Sequence, residues 1–201
     1  VAPVKAMLED IAPFTDQPQR TLLDNLWLTA PLVARSMTAD RTTNAYVRTT
    51  TALTMVNAGV KENVVPQRAE ARVNFRLLPG DTPDMVVERI TDIVADPSIS
   101  IRYDTWNRVA PVADYRGSGF DTIRAAVAEE YPEALVVPTL LVATTDTRHY
   151  IDVADDIYRF HGAVIPMSDT RGIHGSNERI GVQSFERTVA IATHMIRKGS
   201  M

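Results

Sequence analysis

Apolar and polar residues alternate cleanly from Ala69 to Leu77. Ala69, Ala71, Val73, Phe75 and Leu77 fall on one side, and Glu70, Arg72, Asn74 and Arg76 on the other. A period of two puts successive side chains on opposite faces of a strand, so this run predicts a half-buried antiparallel strand with a polar working face. The stretch from Tyr46 to Met55, rich in Tyr, Val and Thr, predicts a strand before it, and Asn57-Ala58-Gly59 supplies a turn. Together they form a long hairpin whose second strand opens at Asn63. Pro79-Gly80-Asp81 breaks the pattern. Thr82 followed by Pro83 reads as an N-cap with proline at the first helical position, and Val86, Ile90 and Ile93 or Val94 give a helical stripe. Asp96-Pro97 ends that helix, and Ile99, Ile101 and Tyr103 alternate again as a strand. The predicted order is β-β-α-β, one β-α unit short of a ferredoxin-like domain.

Residues 1–44 read differently. They hold four prolines and a run in which Leu22, Leu23, Leu26 and Trp27 share one helical face, so a short helix there needs a partner surface. That face serves either core or lid packing or an acyl-chain pocket. After Val109-Ala110-Pro111 the pattern changes again. Ser118 with Asp121 three residues on resembles a capping box, and Phe120, Ile123, Val127 and Tyr131 form the helix's buried stripe. Leu135 to Ala143 is nearly continuous in apolar residues, as in a strand covered on both faces, with Pro138 marking an edge or a bulge. Polar residues follow from Thr144 to Tyr150, beyond the carboxyl end of that strand, where α/β sheets gather ligands. A short strand at Ile157–Phe160 and a last helix from Gln183 to Arg197 complete the chain. That helix is expected to bury Phe185, Val189, Ala192 and Ile196, with His194 solvated on the opposite face. The boundary falls near residues 107–114, so the segments are 1–44, 45–108 and 109–201.

Composition narrows the function. The 201 residues suffice for one large domain or two small ones. A net charge of −4 and a pI near 5.6 argue against a phosphate-backbone binder, which needs a basic face. The polar strand face also lacks the paired aromatics of a sheet that stacks bases, so no nucleic-acid partner is expected. No apolar run reaches the roughly 20 residues that span a bilayer. With no cysteine, disulfides, thiol catalysis and Cys-ligated zinc are excluded. The sequence opens on Val, which leads us to expect a processed N-terminus or a piece of something longer. The terminal Gly199-Ser200-Met201 reads as an appended tail.

Transition-metal chemistry must then run through four histidines and the carboxylates. His174 stands out in the loop Gly172-Ile173-His174-Gly175-Ser176-Asn177-Glu178, where nearby glycines free the backbone. Its imidazole either points into a cleft or caps the helix that follows. A zinc site takes three or four protein ligands, and the chain has no HExxH or His-x-Asp to supply the others. Asp146, Arg148 and His149 lack a serine on a strand-turn-helix elbow, which disfavours a Ser/His/Asp hydrolase. Asp146 and Arg148 otherwise read as an ion pair closing the strand end. Arg76 either grips a carboxylate in a bidentate fork or is a solvated neighbour of Arg72.

Taken in order, Thr49-Thr50-Thr51, Asn63-Val64-Val65-Pro66, Asn74-Phe75-Arg76, Thr144-Thr145-Asp146-Thr147-Arg148, Tyr158-Arg159-Phe160 and Ile173-His174-Gly175-Ser176-Asn177-Glu178 resemble one family. These are the di-zinc aminoacylase/carboxypeptidase metallohydrolases, including acetylornithine deacetylase, succinyl-diaminopimelate desuccinylase and the carboxypeptidase S-like branch. The resemblance covers roughly residues 40–198. It implies an α/β zinc domain with an inserted α+β lid. Residues 1–44 would then be a helical segment of the lid region, 45–108 the later part of a ferredoxin-like lid and dimerisation domain, and 109–201 the C-terminal part of the catalytic domain. It further implies His174 as a zinc ligand, and Asn63, Arg76, Thr144 and Thr145 as substrate contacts supported by Asp146 and Arg148. The family's His-x-Asp ligands, bridging aspartate and paired glutamates match nothing in this sequence. The resemblance thus implies hydrolysis of a peptide or N-acyl amino acid by a two-zinc homodimer, with this chain inactive by itself. The rival reading is a non-catalytic dimerisation and ligand-binding module.

Overall fold

The computed structural model describes residues 1–40, 43–104, 110–143, 145–166 and 168–199. The chain is of mixed α/β type and divides into two compact units, Val1–Pro111 and Val112–Met201.

The first unit opens with three helices, α1 (Ala2–Ile11), α2 (Gln19–Asp24) and α3 (Leu26–Ala39). Ala12, Leu23 and Leu26 are buried together, with Leu8, Ile11 and Val33 packed against them. The expected single face of Leu22, Leu23, Leu26 and Trp27 is split. The backbone leaves helical geometry at Asn25 (φ −116°, ψ 34°), so α2 and α3 are separate helices. Leu23 and Leu26 turn inward while Trp27 faces out.

Strands β1 (Thr50–Ala58) and β2 (Ala69–Arg76) pair antiparallel, from Thr50 opposite Arg76 to Ala58 opposite Ala69. A bulge lies between Leu53 and Met55, where the Thr54 hydroxyl donates to the Arg72 carbonyl at 3.1 Å. The hairpin is the one the alternation predicts, but it starts four residues later than Tyr46, which lies in a 3-10 turn. Its apolar face is half-buried only at one end, at Phe75 and Leu77, while Leu53, Val56 and Val73 are exposed. Alternation sets which side chains share a face, not whether anything covers it. Helix α4 (Pro83–Val94) begins as the sequence dictates, with Thr82 Oγ1 accepting from the Met85 N–H at 3.3 Å. It ends at Ala95 in left-handed geometry (φ 47°). No strand forms at residues 99–103. Tyr103 instead donates its hydroxyl to Asp84 at 2.7 Å.

In the second unit, α5 (Ser118–Glu130) packs on α6 (Val182–Gly199). The cap of α5 is Gly117 rather than Ser118, one residue earlier than expected. The predicted stripe is present: Phe120, Ile123 and Val127 are buried together, with Tyr131, Val136, Tyr158 and Met195 around them. Two expected strands are absent. Leu135–Ala143 and Ile157–Phe160 run as irregular chain, since no strand among the described residues of this unit offers a ladder to either, and a lone strand cannot satisfy its own N–H and C=O groups. Helix α6 also turns the other way. Phe185, Val189 and Ile196 are exposed and Ala192 is half-buried, while Ile191 is 1% exposed. A Cβ on Gly162 would lie 2.7 Å from Ile191 Cδ1, so the chain at Gly162 passes directly against it. His194 is accordingly half-buried rather than solvated, with Nε2 3.5 Å from Glu130 on α5.

Candidate functional site

The candidate residues of the first unit lie on and beside the hairpin. Arg76 is the last residue of β2, exposed, opposite Thr50. The neighbouring strand ends are tied together. The Leu78 N–H donates to Thr49 Oγ1 at 2.8 Å, and that hydroxyl donates in turn to the Asp81 carboxylate. This knot fixes the end of the hairpin that presents Arg76. Asn63 does not open β2. It lies exposed in a turn of the loop between the strands, and β2 begins only at Ala69. Pro66 intervenes, and proline has no N–H to give a ladder. Asn63 therefore precedes β2 and Arg76 closes it. The eight residues of that strand span about 24 Å at roughly 3.4 Å per residue.

In the second unit the structure joins two of the sequence motifs. Thr144 lies outside the described residues. Thr145 is extended (φ −135°, ψ 167°) and leads into a 3-10 turn, Asp146–Tyr150. Its Oγ1 shares a hydrogen bond with Thr147 Oγ1, 2.5 Å away, and Thr147 Oγ1 accepts from Arg159 Nε at 3.1 Å. Arg159 is placed by its neighbour. The Tyr158 ring lies over Gly119, where a Cβ would come within 2.7 Å of it, and its centroid is 6.1 Å from that of Phe120. The Tyr158 hydroxyl donates to the Asp114 carbonyl at 2.6 Å. Burial first, and then the charges of Asp156 and Asp114, push that phenol's pKa up, so it remains a donor. Asp146 is exposed at the head of the turn. Arg148 Nε donates to His149 Nε2 at 3.2 Å.

His174 sits in a loop whose geometry the motif only partly foretells. The left-handed residues are His174 itself (φ 61°) and Asn177 (φ 63°), not the neighbouring glycines. Such a conformation in a non-glycine residue persists only where its surroundings impose it. Here they do so in three ways. The His174 N–H donates to Glu178 Oε2 at 3.2 Å. The Gly175 N–H donates to the Gly172 carbonyl at 2.8 Å. At the two ends, Arg179 grips Asp169 in a fork, Nε to Oδ2 at 3.2 Å and Nη2 to Oδ1 at 3.0 Å. His174 does not cap α6, which begins eight residues later at Val182. The imidazole is exposed on a tightly braced loop.

The hydrogen bond and charge of Arg179 hold the Asp169 carboxyl below its usual value of 3.8. A depressed carboxylate stabilises the loop above its unfolded pKa, and that contribution is lost as pH falls through the folded one. Loop amides from Ile173 to Gly175 should therefore lose hydrogen-exchange protection only in acid, below the ordinary carboxylate range. Asp169→Asn should bring the same loss at neutral pH; protection unchanged in that variant would show that the fork does not brace the loop.

His174 offers one metal donor. Among the described residues, no group of three His, Asp or Glu side chains lies close enough to hold a metal ion, and Glu178 is engaged by the His174 backbone. The residues described here do not complete a metal centre. No helix among them is long and apolar enough to cross a membrane.

Residues 4–101 match the peptidase dimerisation domain of the M20 family. The chain is 40% identical over 200 residues to the N-fatty-acyl-amino acid synthase/hydrolase PM20D1 of Bos taurus, covering 98% of this chain and 40% of that protein. It is 35% identical over 181 residues to the probable carboxypeptidase S-like 2 of Dictyostelium discoideum, covering 90% of this chain and 35% of that protein. The human PM20D1 is 37% identical over 197 residues, covering 96% and 39%. No solved structure matches. The chain belongs to the M20 peptidase family. Within that family it is similar to the carboxypeptidase S-like and PM20D1 proteins, and it spans 35% and 40% of the length of the first two of these relatives.

Sequence reasoning missed Arg159 and the Asp169–Arg179 fork. The first lies within the motif Tyr158-Arg159-Phe160, next to the anchoring Tyr158. The fork had no signal, since its members are ten residues apart and meet only once the loop closes.

Proposed function

We propose that the full-length protein is a zinc-dependent hydrolase that cleaves the amide bond of N-acyl amino acids, long-chain ones included, or of short peptides. The observation that carries this reading is the braced loop holding His174 in a left-handed conformation, in a chain similar to carboxypeptidase S-like and N-fatty-acyl-amino acid hydrolases. Strain of this kind collects at functional sites. Two zinc ions belong to the reading, with His174 one ligand and the others supplied by parts of the enzyme that this chain does not span. Residues 45–108 act as lid and dimerisation domain and 109–201 as part of the catalytic domain. Arg76 takes the substrate carboxylate in a bidentate fork, and Asn63 orients the carbonyl. Thr144 and Thr145 contact the substrate on a turn that Asp146 and Arg148 support. A homodimer through the lid is supported by the dimerisation-domain match and by the uncovered hairpin. The reading includes an isolated chain that is inactive, because the family's remaining zinc ligands and general base match nothing in this sequence.

The test is made on the full-length protein with N-acyl amino acids and dipeptides as substrates. A chelator should abolish hydrolysis and added zinc should restore it. If the metal-replete protein hydrolyses neither class, a non-catalytic binding module replaces this reading.

A further inference from the structure

Helix α3 is apolar on both sides. Leu26 and Met37 are buried and Val33 half-buried on its inner face. A surface helix is expected to be polar on the other face. Instead Trp27, Leu28 and Leu32 are 80%, 65% and 58% exposed, with Pro31 between them. These residues fall at i, i+1, i+4 and i+5, a single stripe. Trp27 also lines a groove with Ala12, Leu23 and Leu26, together with the charged Lys5, Glu9 and Asp24. Each of these charges has an opposite partner: Lys5 pairs with Glu9 at 2.5 Å and Asp24 with Arg20 at 3.7 Å.

We propose that this stripe and groove hold the acyl chain of an N-acyl amino acid, a proposal that rests on the hydrolase reading above. Contiguous exposed apolar surface marks an interaction site, and the surroundings say of what kind. Residues 1–40 carry Lys5, Arg20 and Arg35 against Glu9, Asp10, Asp16, Asp24 and Asp40, three positive charges against five negative, a net of −2. An acidic segment does not bind an anionic lipid surface, which recruits basic clusters. Three large side chains, one of them aromatic, expose on the order of a few hundred Å². That falls short of the roughly 800 Å² per partner of a standard protein interface, which disfavours a second copy as the occupant. A hydrocarbon chain needs neither charge nor so much area. Each methylene it buries strengthens binding about fourfold, equivalent to about 0.8 kcal/mol.

The experiment uses the full-length protein with Trp27→Ser, Leu28→Ser and Leu32→Ser combined. All three are exposed, and circular dichroism checks that the fold is kept. Two readouts are taken. In a series of N-acyl amino acids of increasing chain length, KM for the sixteen-carbon substrate should rise at least about tenfold while kcat and KM for the acetyl substrate stay unchanged. Binding of cis-parinaric acid, a fluorescent long-chain fatty acid, should weaken by at least about tenfold. Equal loss at every chain length, unchanged parinaric acid binding, or dissociation of a dimer in sedimentation would each overturn the proposal. The last would reassign the stripe to a second copy. If the unaltered protein hydrolyses neither N-acyl amino acids nor dipeptides, the hydrolase reading fails, and the parinaric acid measurement alone still decides whether the groove takes a chain.

Discussion

Replacing His174 with Ala in the full-length protein is expected to lower its zinc content and reduce amide hydrolysis to background. His174 holds φ at 61°, in a loop closed by Glu178 on its own N–H and by the Arg179–Asp169 fork across its ends. A non-glycine residue in that region is uncommon, though histidine is among the types enriched there, and a braced loop that keeps one there with its imidazole exposed presents that side chain rather than hiding it. Alanine removes the imidazole but also alters the local backbone preference. His174→Asn separates the two effects, since asparagine tolerates the left-handed region well while offering no imidazole nitrogen. Both variants should lose zinc and activity together. Unaltered zinc content in either variant rules out the ligand role, whatever happens to turnover.

Elements that depend on their own residues were legible in the sequence, and those that depend on a partner were not. The hairpin follows from alternation and turn chemistry, and α4 from Thr82 and Pro83. The stripe of Phe120, Ile123 and Val127 follows from helical spacing. In contrast, the run Leu135–Ala143 has the composition of a buried strand, but composition supplies no neighbouring ladder, and the run is irregular here. Helix α6 carries two apolar stripes, one through Phe185 and Val189 and one through Ile191 and Met195. Choosing between them required α5 and the close approach of Gly162. The site divides the same way. The His174 motif was visible as a string of residues. That the histidine and not a glycine is left-handed could not be read from it, because the cause lies in a fork between Asp169 and Arg179. Likewise the motif Thr145–Arg148 and the motif Tyr158–Phe160 were separate signals until Arg159 Nε reached Thr147 Oγ1.

Changing Arg76 to Ala should lower kcat/KM of the full-length enzyme by about 2–5 kcal/mol, the cost of removing one partner from a desolvated, hydrogen-bonded charge pair. The effect should fall on substrate recognition and leave the fold intact. Arg76 is exposed at the end of β2, and Thr49, Leu78 and Asp81 tie that strand end together; circular dichroism of the variant checks that the fold is kept. The polar face it shares with Arg72 also tests the assignment internally. Arg72 already donates from Nε to Glu70 Oε1 at 3.3 Å on the same strand, so Arg72→Ala should change kcat/KM by less than about 0.5 kcal/mol, as for an exposed pair. Arg76→Lys distinguishes charge from geometry. Lysine keeps the cation but lacks the planar fork that meets both carboxylate oxygens, so it should recover only part of the loss. A substrate with its carboxylate amidated should be indifferent to all three changes, because the group that Arg76 recognises is gone. A loss below about 0.5 kcal/mol in Arg76→Ala, typical of an exposed ion pair, would return this residue to the solvated surface beside Arg72.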